Sequence, residues 1–82
     1  MKWFEYVRVL LRVLRVRYGS DRDAARVVDL GLTVGVEAMQ ALVNGRITAT
    51  EGELIMLAIR RATYEVEGLI KKREAETSRD VH

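Results

Sequence analysis

The chain has 82 residues, 49% of them apolar, and a formal charge of +2. That is enough sequence for one domain, and it is too apolar for a disordered tail. Cysteine and proline are both absent, which excludes disulfides, thiolate zinc sites, cysteine nucleophiles and proline kinks.

The first predicted helix covers residues 2–18. Lys2, Glu5, Arg8, Arg12 and Arg15 recur at steps of three and four, which stacks them in one stripe of an α-helix. Nearly every other position is apolar or aromatic, Arg17 excepted. Val13 to Tyr18 is β-branched enough to tolerate a strand, but the arginine stripe keeps its helical period through it. Tyr18-Gly19-Ser20 should end this helix, with Gly19 in the left-handed conformation and Ser20 capping the next one.

The second predicted helix covers 21–44. Its polar residues Arg22, Arg26, Asp29, Thr33, Glu37, Gln40 and Asn44 form a single stripe, and apart from Asp21 and Asp23 all other positions are Ala, Val, Leu, Met or Gly. The period leaves no other secondary structure open. Asn44-Gly45 then reads as a C-cap, with Ile47 supplying the apolar contact that often accompanies it. Two capping boxes compete to start the third helix, Thr48 with Glu51 and Thr50 with Glu53.

The third predicted helix covers 51–73. Its apolar face is Ile55, Ala58, Ile59, Ala62, Val66, Leu69 and Ile70, widened by Leu54, Met56 and Leu57, and Arg61–Glu65 and Glu67–Lys71 are i,i+4 ion pairs. From Lys71 the apolar pattern stops, so 74–82 reads as a charged, flexible tail. The expected fold is all-α: a single helical domain over 1–73, built as a long antiparallel helical hairpin plus an N-terminal amphipathic helix.

The first two helices are apolar around most of their circumference, which belongs to a helix enclosed by something larger. A helical-bundle homo-oligomer is therefore expected, or a complex with another helical protein. The oligomer or helix-packing interface is placed on Val28, Gly31, Gly35, Ala38 and Leu42 of the second helix and Val7, Leu10 and Leu14 of the first. Gly31 and Gly35 carry the choice, because a small-x-x-x-small pair lets another helix come close. The alternative is that these glycines admit Trp3 or Phe4 of the same chain.

Catalytic constellations are missing from the sequence. The lone histidine is His82, Ser20 and Ser78 have plainer roles as a cap and a tail residue, and no Glu-x-x-His, Walker or G-x-G-x-x-G pattern occurs. Asp29 and Glu37 lie about 12 Å apart along the helix axis, too far for a glycosidase pair. The turn after the second helix resembles the second half of an EF-hand calcium loop, with Asn44, Gly45, Ile47, Thr48 and Glu51 in register. Gln40 and Leu42 stand where that family has aspartates, so too few oxygens converge for calcium. No enzyme activity, metal, cofactor or small-molecule substrate is expected.

The basic charge is concentrated at one end. Residues 1–18 hold Lys2, Arg8, Arg12, Arg15 and Arg17 against Glu5, while acidic groups outnumber basic ones over the remainder. Arg8, Arg12, Arg15 and Arg17 are thus candidates for contact with an anion or nucleic acid. The ordinary alternative is a solvated or salt-bridging face. Charges break the first helix too often for a signal-peptide core, and no uncharged run approaches the roughly 20 residues of a membrane span. A soluble, cytoplasmic protein is expected. In style (short, cysteine-free, with a G-x-I-T-x-x-E turn) the chain is similar to small phage or mobile-element proteins. The sequence predicts a non-enzymatic assembly or adaptor protein, or a nucleic-acid-binding accessory protein using the arginine stripe.

Overall fold

The computed structural model describes residues 2–80, with side chains through Thr77. Three helices account for nearly all of it: α1 (Lys2–Tyr18), α2 (Arg22–Val43) and α3 (Ala49–Asp80). The fold is all-helical, and every helix packs against both others.

The connections follow from local chemistry. Asp21, not Ser20, caps α2, and its carboxylate accepts the N–H groups of Asp23 and Ala24 at 2.9 and 3.0 Å. Aspartate is as good a cap as serine and brings its charge to the positive end of the helix dipole. Gly19 does not take the left-handed conformation; it is needed because a Cβ there would run into the Arg15 carbonyl oxygen. At the far end of α2, Gly45 has φ 72°. The Gly45 N–H donates to the Leu42 carbonyl and the Arg46 N–H to the Ala41 carbonyl, which is the Schellman pattern. Ile47 then folds back onto the core.

Of the two capping boxes, Thr48 with Glu51 forms. The Thr48 N–H donates to the Glu51 carboxylate at 2.8 Å, and the Glu51 N–H donates to the Thr48 hydroxyl at 3.1 Å. α3 therefore starts at Ala49, two residues ahead of the expected point. It also continues past Arg73 to Asp80, through the segment read as a flexible tail. Glu, Ala, Lys and Arg are good helix formers, so a run lacking apolar residues can still propagate a helix already nucleated. Val81 and His82 lie outside the described residues.

The core lies along the common axis in two parts. Toward the α2–α3 turn, Val7 and Leu11 of α1 meet Ala38, Met56 and Ile59. Toward the α1–α2 turn, Leu14 meets Ala24, Val28, Val66 and Ile70. Val27 and Leu32 pack against both. Thr63 is buried at a position with no apolar signal, and its hydroxyl donates to the Ile59 carbonyl at 2.9 Å, so it brings no unpaired polar group into the core. Ala58 and Leu69, expected on the buried face of α3, are exposed instead.

α2 and α3 run antiparallel: Leu42 lies beside Gly52 at one end, and Arg73 reaches Asp21 and Asp23 at the other, 3.3 Å from each. Asp21 thus caps α2 and holds α3 at once. The whole is long and narrow, 56 × 19 × 17 Å. Its radius of gyration is 15.0 Å, against about 12 Å for a compact domain of this length.

Candidate interaction surfaces

The residues expected at an oligomer or helix-packing interface pack within this one chain. Val7, Leu14, Val28, Gly31, Gly35 and Ala38 are buried, and Leu10 and Leu42 are half-buried. The two glycines do admit a close neighbour, but the neighbour is intramolecular. A Cβ on Gly31 would stand 2.9 Å from both Leu11 methyl groups and 3.2 Å from Ile59, and one on Gly35 would stand 3.3 Å from the Phe4 ring. This face is filled by α1 and α3, so it is not free to seat another copy.

The apolar surplus of α1 emerges elsewhere. One side of the helix buries Val7, Leu11 and Leu14, with Phe4 and Tyr18 half-buried beside them. The opposite side carries Val9, Val13 and Val16, which are 59%, 39% and 80% exposed. These valines are spaced by four and three, so they form an unbroken outer stripe. Two apolar stripes of the same period compete for the core, and the one with leucines and aromatics wins because it removes more apolar area from water. Side-chain size was the available signal, and the spacing alone does not contain it.

A second exposed apolar edge borders α2 and α3. Asp23, Leu30 and Val34 share a stripe on α2, and Leu69 and Arg73 are one turn apart on α3. Because Arg73 meets Asp23, Leu30, Val34 and Leu69 stand along that edge, and all three are exposed.

Arg8, Arg12 and Arg15 do not point away from the body of the protein. They form one wall of a groove between α1 and α2, whose other wall is Leu32, Val36, Met39 and Gln40 over the buried Val28, with Phe4 at one end. Its volume is about 680 Å³, within the usual range for a ligand site. Among the described residues, no carboxylate lies within 4.0 Å of these three guanidinium groups. Arg17 is also exposed but lies off this stripe, on the other side of the outer valines.

On the α1–α3 side, the Tyr6 and Tyr64 hydroxyls are 3.4 Å apart, long for an O–H···O bond. This contact, with some desolvation, raises the Tyr6 pKa above its ordinary value. In the α2–α3 turn, two of the groups that suggested calcium already have partners: the Glu51 carboxylate and the Thr48 hydroxyl hold each other's backbone N–H. Among the described residues, no helix is long and apolar enough to cross a membrane. No protein-family model, curated protein or solved structure matches the chain.

Proposed function

We propose that this chain is a non-enzymatic assembly or adaptor module that works by laying exposed apolar helix edges against another helical surface, a second copy being the simplest. The observation that carries this reading is the placement of the surplus. After the core is filled, apolar residues remain outside it at helical spacing, on the outer stripe of α1 and on the α2–α3 edge. Surfaces of this kind ordinarily mark interfaces.

Self-association is assigned to the α2–α3 edge. Its apolar residues Leu30, Val34 and Leu69 are bordered by charges of both signs, including the Asp23–Arg73 pair, so two copies can meet there without like-charge repulsion. Sedimentation equilibrium over a wide concentration range tests the idea. The parent should exceed its monomer mass of 9.4 kDa, and Leu30→Gln with Val34→Gln should return it to that mass with unchanged helicity. A parent that stays monomeric at high micromolar concentration refutes self-association.

A second reading is favoured by Arg8, Arg12 and Arg15, three guanidinium groups in line without carboxylate partners: contact with nucleic-acid phosphate. Its signature is affinity for duplex DNA that falls steeply with salt. Salt-independent binding, or none at low salt, disposes of it.

A further inference from the structure

The α1–α2 groove has two unlike walls that run the same way, and together they specify an occupant more narrowly than either does alone. We propose that this groove is a docking site for an acidic amphipathic helix of a protein partner. The inference rests on the adaptor reading above but not on self-association.

The basic wall presents Arg8, Arg12 and Arg15, at steps of four and three, over about 10 Å of helix. The apolar wall presents Leu32, Val36 and Met39, at steps of four and three, over about 10 Å, with Val28 buried beneath it and Gln40 at its edge. Both walls are therefore helical stripes, and the furrow between them is about two turns long. An entering helix would place apolar residues at i, i+4 and i+7 against the α2 wall, and carboxylates on its adjoining flank against the arginines. Arginine suits this role because its fork pairs with a carboxylate in two parallel hydrogen bonds.

Other occupants match less of the groove. A single anionic headgroup would need the guanidinium groups to converge, yet they are distributed along the furrow. Nucleic acid answers the arginines but leaves Leu32, Val36 and Met39 facing a hydrated, charged backbone. A second copy's α2 sets Leu30 and Val34 beside Asp23 and Glu37, but Arg26 lies on the same flank and Arg73 already holds Asp23, so it would bring cations toward the arginine wall. An acidic amphipathic helix satisfies both walls in one register. Charge complementarity selects the sign, and the apolar wall selects the class.

The experiment uses the full chain and three fluorescent probes at low and moderate salt. One is a helix-prone peptide of about 18 residues with leucines at i, i+4, i+7 and i+11 and glutamates along the adjoining flank. The second carries lysine at each glutamate position, and the third is a short DNA duplex. The glutamate peptide should bind at least about tenfold more tightly than its lysine twin. The Arg8→Glu, Arg12→Glu, Arg15→Glu variant should reverse that preference. Val36→Asn, at a half-exposed position on the other wall, should weaken the glutamate peptide severalfold and leave its preference over lysine intact. Circular dichroism verifies that each variant folds, and the single change Arg12→Glu serves if the triple one does not. Equal binding of the two peptides, a preference that does not reverse, or DNA binding that exceeds the glutamate peptide and ignores Val36→Asn would each overturn the proposal. A chain that is monomeric by sedimentation yet selects the glutamate peptide would remove self-association and leave the groove standing.

Discussion

Gly31→Ala should destabilise the protein even though it removes a glycine from the middle of a helix. Two effects of known size oppose each other. Replacing a helical glycine by alanine gains up to about 1 kcal/mol in backbone entropy. Against this, the new methyl would lie 2.9 Å from both Leu11 methyls and 3.2 Å from Ile59. Leu11 is 1% exposed and Ile59 is buried, so neither can swing away without disturbing the core. Overpacking of this kind costs about 1–3 kcal/mol, and the net expectation is a loss of about 1 kcal/mol. Gly68 provides the control. It lies mid-helix in α3, and a methyl added there would have no neighbour within 4 Å, so Gly68→Ala should gain close to the full propensity term. Gly35→Ala should fall between them, because its neighbour Phe4 is half-buried at the mouth of the groove and can yield. Urea titrations followed by far-UV circular dichroism would order the three variants. Each kcal/mol should also move the melting temperature by about 4–8 °C. If Gly31→Ala stabilises as much as Gly68→Ala, the close packing of α1 on α2 is wrong.

Two further perturbations read the helix connections. Asp21→Ala removes the cap of α2 and the Arg73 contact together, and should cost about 1–2 kcal/mol, nearly all of it the cap. Arg73→Ala should cost only a few tenths of a kcal/mol, as expected for an exposed pair; equal losses for the two variants would mean that the ion pair dominates. Glu51 reports on the other connection. The Thr48 backbone N–H, and then the Thr48 hydroxyl contact, hold its pKa below the ordinary 4.5. A group depressed in the folded state contributes stability above its unfolded pKa and loses it as the pH falls through the folded one. Glu51→Gln should therefore flatten the acid side of the stability–pH curve, and an unchanged acid slope in urea titrations would show that the capping box makes no contribution there.

Helix period and turn chemistry could be read from the residues because both are local. Seven polar residues in one stripe fixed α2, and Asn44-Gly45-Arg46-Ile47 encoded its Schellman end. Which face of α1 turns inward is a property of the whole chain. Two stripes of equal period compete, and their relative burial depends on how Leu11 and Leu14 fill the space beside Gly31 and Ala24. The same non-locality leaves Gly31 and Gly35 open between a neighbour in the same chain and one in another. Small residues state that something approaches closely, and they carry no information on whether it belongs to the same molecule. Thr63 escaped notice because its hydroxyl is satisfied by its own helix, so a polar residue occupies a core position without a polar partner elsewhere. The arginine wall of the groove is legible as a stripe, while nothing in the sequence separates Leu32, Val36 and Met39 from the rest of an α2 that is apolar around most of its circumference.

The outer valines of α1 raise the question of why that stripe should not be the self-association seam. It has the larger exposures, and Val9, Val13 and Val16 interdigitate in principle with a copy of themselves. The rims decide against it. Arg8, Arg12 and Arg15 border the valines on one side and Arg17 on the other, and in α1 only Glu5 opposes them. Were two copies to pack antiparallel through this face, the arginine stripes of both would fall along the same edge. Parallel packing would instead set each stripe opposite the partner's Arg17. In either arrangement one Glu5 per copy stands against four arginines, so like-charge contacts outnumber attractive ones along the seam. At the α2–α3 edge, by contrast, Asp23 and Arg73 already neutralise one another. The apolar surplus therefore divides by charge: the neutral edge suits a copy, and the basic helix, with its groove and its valines, suits an acidic partner.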